Sequence, residues 1–106
     1  MPPNPPPSAE IARLRAQMDR LNARLATAIQ ARARLALTIA GKKARVGLPA
    51  ADPARERAML RAVLAAAPDG LPRRDLERIF RAIFGASRRL VVRAERAPRA
   101  RRALRA

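Results

Sequence analysis

The sequence predicts an all-α protein with three helices per chain, one long, one short and one medium, assembled as an intertwined helical homodimer. Three observations predict it. From Ser8 to about Arg45 apolar residues recur at steps of three and four, and no helix breaker intervenes before Gly41. Two Pro- and Gly-containing segments, VGLPAADP and PDGLP, then divide the remaining chain into helix-length pieces. Nowhere does the chain alternate apolar and polar residues in the manner of a strand, and it has no internal repeat.

The first seven residues, MPPNPPP, are too rich in proline for a packed element and read as a mobile, extended tail. Ser8 is a plausible N-cap for the first helix, and Glu10 places a negative charge in the first turn, where it suits the helix dipole. The apolar stripe of this helix is Ile11, Leu14, Met18, Leu21, Leu25, Ala28, Leu35 and Ile39. A helix of about 35 residues is roughly 50 Å long. The rest of so small a chain cannot cover that length, so a second copy is expected along it in coiled-coil fashion. Val46-Gly47-Leu48-Pro49 reads as a loop.

Asp52 is placed to cap a second helix, with Pro53 at its first position, where a missing N–H costs nothing. That helix is expected to reach about Ala67 and to bury Met59, Leu60, Val63 and Leu64. Pro68-Asp69-Gly70 is a turn, and Pro72 opens a third helix with Leu76, Ile79, Phe80, Ile83, Phe84, Leu90 and Val91 on its apolar side. Pro98 and its arginines are expected to end it. The organisation is then a Pro-rich tail over 1–7, a helical domain over 8–97 and a basic C-terminal tail over 98–106.

Composition narrows the chemistry. At 106 residues the chain holds one domain, and with 2% aromatic residues its core must come from aliphatic side chains. Cysteine and histidine are absent, which excludes disulfides, thiolate or imidazole metal sites, thiol nucleophiles and the usual general base near neutral pH. The net charge is +16, and of 24 basic residues all but Lys42 and Lys43 are arginine. Such an excess suggests an anionic partner, although Arg and Ala richness also follows from a GC-rich coding bias. The N-terminus lacks the pattern of a secretory signal and no apolar run approaches a membrane span, so a cytoplasmic protein without membrane contact is expected.

A few polar residues stand where the apolar pattern would not place them. Arg32 falls on the stripe between Ala28 and Leu35. It either snorkels to water, pairs with a neighbouring carboxylate, or binds a ligand. Lys43 lies eleven residues later, about 20° around and roughly 16 Å along the helix, so the two long side chains can converge on one anion. Ser87 sits on the apolar face of the third helix, where it needs a hydrogen-bond partner, its own helix included. Arg15 is seventeen residues before Arg32, roughly 25 Å away and about 100° around. It can reach the same ligand only from a second, antiparallel copy.

These positions, with Asp52, Arg55 and Glu56, resemble those that the all-helical chorismate mutases place around their substrate. The likeness covers about residues 11 to 91. It comprises Leu14-Arg15, Arg32 with Leu35-Ala36, Lys43, the segment GLPAADPARE, then Ile79-Phe80-Arg81-Ala82-Ile83 and Ser87-Arg88, with no gap from Arg15 to Glu56. The resemblance implies an isomerase of aromatic amino-acid biosynthesis that converts chorismate to prephenate by an intramolecular rearrangement, as a homodimer with shared active sites. It implies no cofactor, metal or covalent intermediate. The work is positional and electrostatic. It further implies that Arg15 of one copy and Arg32 of the other hold the two carboxylates, suited to planar guanidinium forks. Lys43 would contact a carboxylate and the breaking ether oxygen. Glu56 would accept from the ring hydroxyl, helped by the Asp52 region, with Arg55 in support and Ser87 on a carboxylate. Apart from the resemblance, Asp52 is equally a plain N-cap, and Arg55 and Glu56 a solvated first turn.

One position departs from the pattern. One turn after the serine the family usually has a Gln or Glu that bonds the ether oxygen, and here stands Val91. Losing one such donor typically costs about 10²–10³ in rate. Arg88, three residues earlier where the family tends to be apolar, is a candidate to fill part of that role. The departure leaves other readings open: an isochorismate-pyruvate lyase or aminodeoxychorismate mutase on the same scaffold, or an inactive homologue. A nucleic-acid binder would explain the charge, but the chain lacks a stacking platform, a zinc pattern and a clear helix-turn-helix.

Overall fold

The computed structural model describes the backbone of residues 7–105 and the side chains of 8–97. It consists of three helices, α1 (Pro7–Arg45), α2 (Pro53–Ala66) and α3 (Arg73–Arg105), with no strand among the described residues. The all-α class and the three helices are the ones expected. The expected Pro-rich tail over 1–7 lies outside the described residues except for Pro7, which already belongs to α1. Ser8 is therefore inside the helix instead of capping it. Proline is well accommodated in a first turn, where its missing N–H has no helical partner to lose.

The chain divides into two compact units at Arg32/Ala33. The first carries most of α1. Its stripe is intact as a pattern and open to solvent: Ile11, Leu14, Met18, Leu21 and Leu25 are 47 to 61% exposed. Among the described residues this face is left exposed.

The second unit begins with the last turns of α1, which end in a Schellman motif. Leu48 N–H donates to the Lys43 carbonyl at 2.8 Å and Gly47 N–H to Ala44 at 3.2 Å. Gly47 takes a φ of 75°, a conformation costly for any residue with a Cβ. The loop then reaches Asp52, whose Oδ1 accepts from the Arg55 amide at 3.0 Å, capping α2 as expected, with Pro53 at N1. α2 packs on α3. Leu60 and Phe84 are the buried hydrophobic residues of this contact, worth about 1.5–3 kcal/mol each. Phe80 meets Phe84 edge-on, with centroids 6.2 Å apart. Met59, Val63 and Leu64 are half-buried, as are Leu76, Phe80, Ile83, Leu90 and Val91.

Two expectations about α3 are corrected. Ile79, placed on its apolar side, is 45% exposed, because it lies about 140° around the helix from Phe84, beyond the contact with α2. Pro98 does not end the helix, which runs on to Arg105. A proline removes one amide donor at about 3 kcal/mol, and the flanking segment is almost wholly Ala and Arg, both strong helix formers. The side chains of the expected basic tail, 98–106, lie outside the described residues. No described helix is long and apolar enough to cross a membrane.

Candidate active site

The first unit carries two of the candidate arginines on α1. Arg15 is exposed, beside the apolar stripe on a neighbouring face of α1. Arg32 is half-buried and engaged in a polar interaction. Both stand on regular helix, which fixes their direction without help from a loop.

In the second unit the end of α1 and the start of α2 are tied together through Lys43. Its carbonyl accepts from the Val46 and Leu48 amides at 3.2 and 2.8 Å, and its Nζ donates to the Ala50 carbonyl at 3.3 Å. The ammonium of the half-buried Lys43 is thus held by the loop that leads into α2. Asp52 spends its carboxylate on the cap, and its carbonyl accepts from the Glu56 amide at 3.1 Å. The cap sets the first turn of α2 and with it the direction of Glu56. The Arg55 side chain is exposed, one position before Glu56.

Glu56 is where α2 and α3 meet chemically. Arg88 Nη1 donates to Glu56 Oε1, a pair that links residues thirty-two apart. Beside it runs a groove of about 490 Å³. Leu60 and Phe84 form its floor, and Glu56, Arg57, Arg81 and Arg88 its walls. Ser87 is half-buried and has a polar partner, and Val91 is half-buried one turn further along α3. The structure therefore groups Glu56 with Arg88 in a cationic groove with an apolar floor, and anchors Lys43 and Asp52 in the segment leading to it. Such a groove suits a small anion with an apolar ring. Arg57 and Arg81 were not singled out from the sequence. Their signal was register: Arg57 lies three residues before Leu60, and Arg81 three before Phe84, each on the flank of a core position.

The chain matches the family model described as chorismate mutase type II over residues 14–92. Among solved structures it is similar to the chorismate mutase of Thermus thermophilus. The form II structure is 34% identical, with a TM-score of 0.75, over 79% of this chain and 96% of that one. The form I structure is 35% identical, with a TM-score of 0.71, over 74% and 98%. No curated protein gives a significant match. The matched span holds every candidate residue from Arg15 to Val91, and so the chain belongs to the type II chorismate mutase family.

Proposed function

We propose that this chain is a chorismate mutase whose active site is completed by a second copy of itself. It rearranges chorismate to prephenate in aromatic amino-acid biosynthesis by holding the substrate in a reactive conformer and by placing positive charge where the ether bond breaks. The observation that carries this reading is the family match across residues 14–92, which includes all the candidate residues of a chain that has neither His nor Cys. A rearrangement within one molecule needs no external acid, base or nucleophile.

In this reading Arg32 and Arg15 of the second copy clamp the two carboxylates, and Ser87 bonds one of them. Lys43 leaves the Ala50 carbonyl for a carboxylate and the ether oxygen. Glu56 accepts from the ring hydroxyl, the Asp52 cap orients that turn, and Arg55 supports it. Arg88, near Val91, either donates toward the ether oxygen or acts through Glu56. The uncovered stripe of α1 supports the homodimer, since half-exposed Leu, Ile and Met at helical spacing are what a partner helix would cover.

The test is the loss of chorismate's ultraviolet absorbance on adding purified protein. Arg32→Ala should lower kcat/KM by at least about 10²-fold, the worth of a bidentate charged contact. Wild-type protein without turnover overturns the proposal. Val91 alone favours a second reading, a related substrate on the same scaffold, and isochorismate and aminodeoxychorismate assayed beside chorismate decide it.

A further inference from the structure

Arg88 is the cation that the structure commits to Glu56. It stands one turn after the buried Phe84, and its Nη1 reaches across to Oε1 of Glu56 on α2. Arg81, which lines the same groove, is engaged elsewhere: its Nε and Nη2 both donate to Glu77 on its own helix, at 3.1 and 2.7 Å. Arg57 is on the same helix as Glu56 at the next position, where side chains do not face each other.

The Arg88 guanidinium also has a seat. A Cβ at Gly85 would lie 3.5 Å from Arg88 Nη2 and 3.3 Å from Arg89 Nη1, so both guanidinium groups fold over the bare backbone of this glycine. Glycine inside a helix costs about 0.5–1 kcal/mol relative to alanine. Here it leaves a ledge on which a planar group can lie while one of its nitrogens points at Glu56. A carboxylate has two oxygens and about four acceptor sites. One that holds Arg88 through Oε1 keeps Oε2 to accept another proton donor. With its side chain only 28% exposed, Glu56 is also the less solvated member of the pair, the one whose orientation depends more on its protein partner.

Resting on the mutase reading above, we propose that Arg88 is a positioning residue: its ion pair with Glu56 holds the carboxylate so that the second oxygen receives the ring hydroxyl of the substrate, and the pair thereby sets the preference for a hydroxylated ring. The alternative use of Arg88, as a donor to the ether oxygen, makes a different prediction. The ether oxygen is present whether or not the ring carries a hydroxyl.

The experiment measures kcat and KM for chorismate and for its analogue lacking the ring hydroxyl, with wild type, Arg88→Gln, Arg88→Lys, Glu56→Gln and, as a control, Arg78→Gln, at an exposed α3 position that does not line the groove. Arg88→Gln should lower kcat/KM for chorismate about tenfold, the worth of one charge-assisted hydrogen bond, and leave the analogue's unchanged. Arg88→Lys should recover part of the loss, and Arg78→Gln should behave as wild type on both substrates. Glu56→Gln should show the same selective loss, more deeply. Equal loss on both substrates in Arg88→Gln, or no loss on either, overturns the proposal while leaving the mutase reading intact. A wild type that turns over neither compound removes the mutase reading and this inference with it. Arg88 is 54% exposed, so its replacement leaves the folded chain in place for these measurements.

Discussion

Val91 is the residue at which this chain parts from its family's pattern, and it is half-buried on the face of α3 that also carries Phe84 and Ser87. A valine there excludes water but donates nothing to a developing negative charge. Val91→Gln should therefore raise kcat, by about tenfold or more if the amide reaches the ether oxygen, given the 10²–10³ that one such donor is typically worth. The measurement is kcat at saturating chorismate, and a clear fall would mean that the pocket is organised differently. The individual candidates were legible to different degrees. Arg32 and Ser87 stood out because a polar group on an apolar face demands a partner. The cap at Asp52 was legible because Asp-Pro before a helical run has few other uses. The pairing of Arg88 with Glu56 was not legible. It joins two helices, and helical periodicity specifies angles around one axis, not which side chains meet across two.

At the scale of elements, chain punctuation explains most of the fold. VGLP and DP each wrote a boundary whose mechanism the structure displays: a left-handed glycine closing α1 and a carboxylate opening α2. The same reasoning misplaced the end of α3, because a single proline outweighed a long Ala and Arg context in the reading but not in the helix. Gly47 carries more than a turn. Its 75° φ lets Leu48 bond the Lys43 carbonyl, and the same lysine bonds the loop through its Nζ. Gly47→Ala should cost about 1 kcal/mol of stability, read from the denaturation midpoint. A strained or frayed loop would also release Lys43, so kcat/KM for chorismate should fall more than the stability loss alone explains. An unchanged midpoint would show that the chain closes α1 in another way.

For the whole molecule the decisive feature is the α1 stripe, apolar by pattern and exposed among the described residues. Its existence was legible in the three-and-four spacing. What covers it was an inference from length, since a helix too long for its own domain needs a second body. Leu21 is central to the stripe and 56% exposed, so Leu21→Arg should leave the protomer's helices intact. At a paired seam, however, each copy would bury a guanidinium without a partner, at several kcal/mol per ion. Since 1.4 kcal/mol is a factor of ten, the dimer should weaken at least about a hundredfold. Sedimentation at micromolar concentration should then show a monomer, and turnover should vanish with it, because in the proposed site Arg15 of a second copy closes over the substrate. A variant that stays dimeric and active would sink the shared-site reading. Salt gives a second handle with a definite sign. Two chains each carrying +16 repel, so added salt screens that repulsion and tightens the wild-type dimer. Binding to nucleic acid responds the opposite way, because it is driven by counterion release. Self-association that strengthens from about 50 to about 500 mM salt, as the Debye length shrinks to less than half, would assign the charge a cost the apolar seam overcomes, and not a purpose of its own.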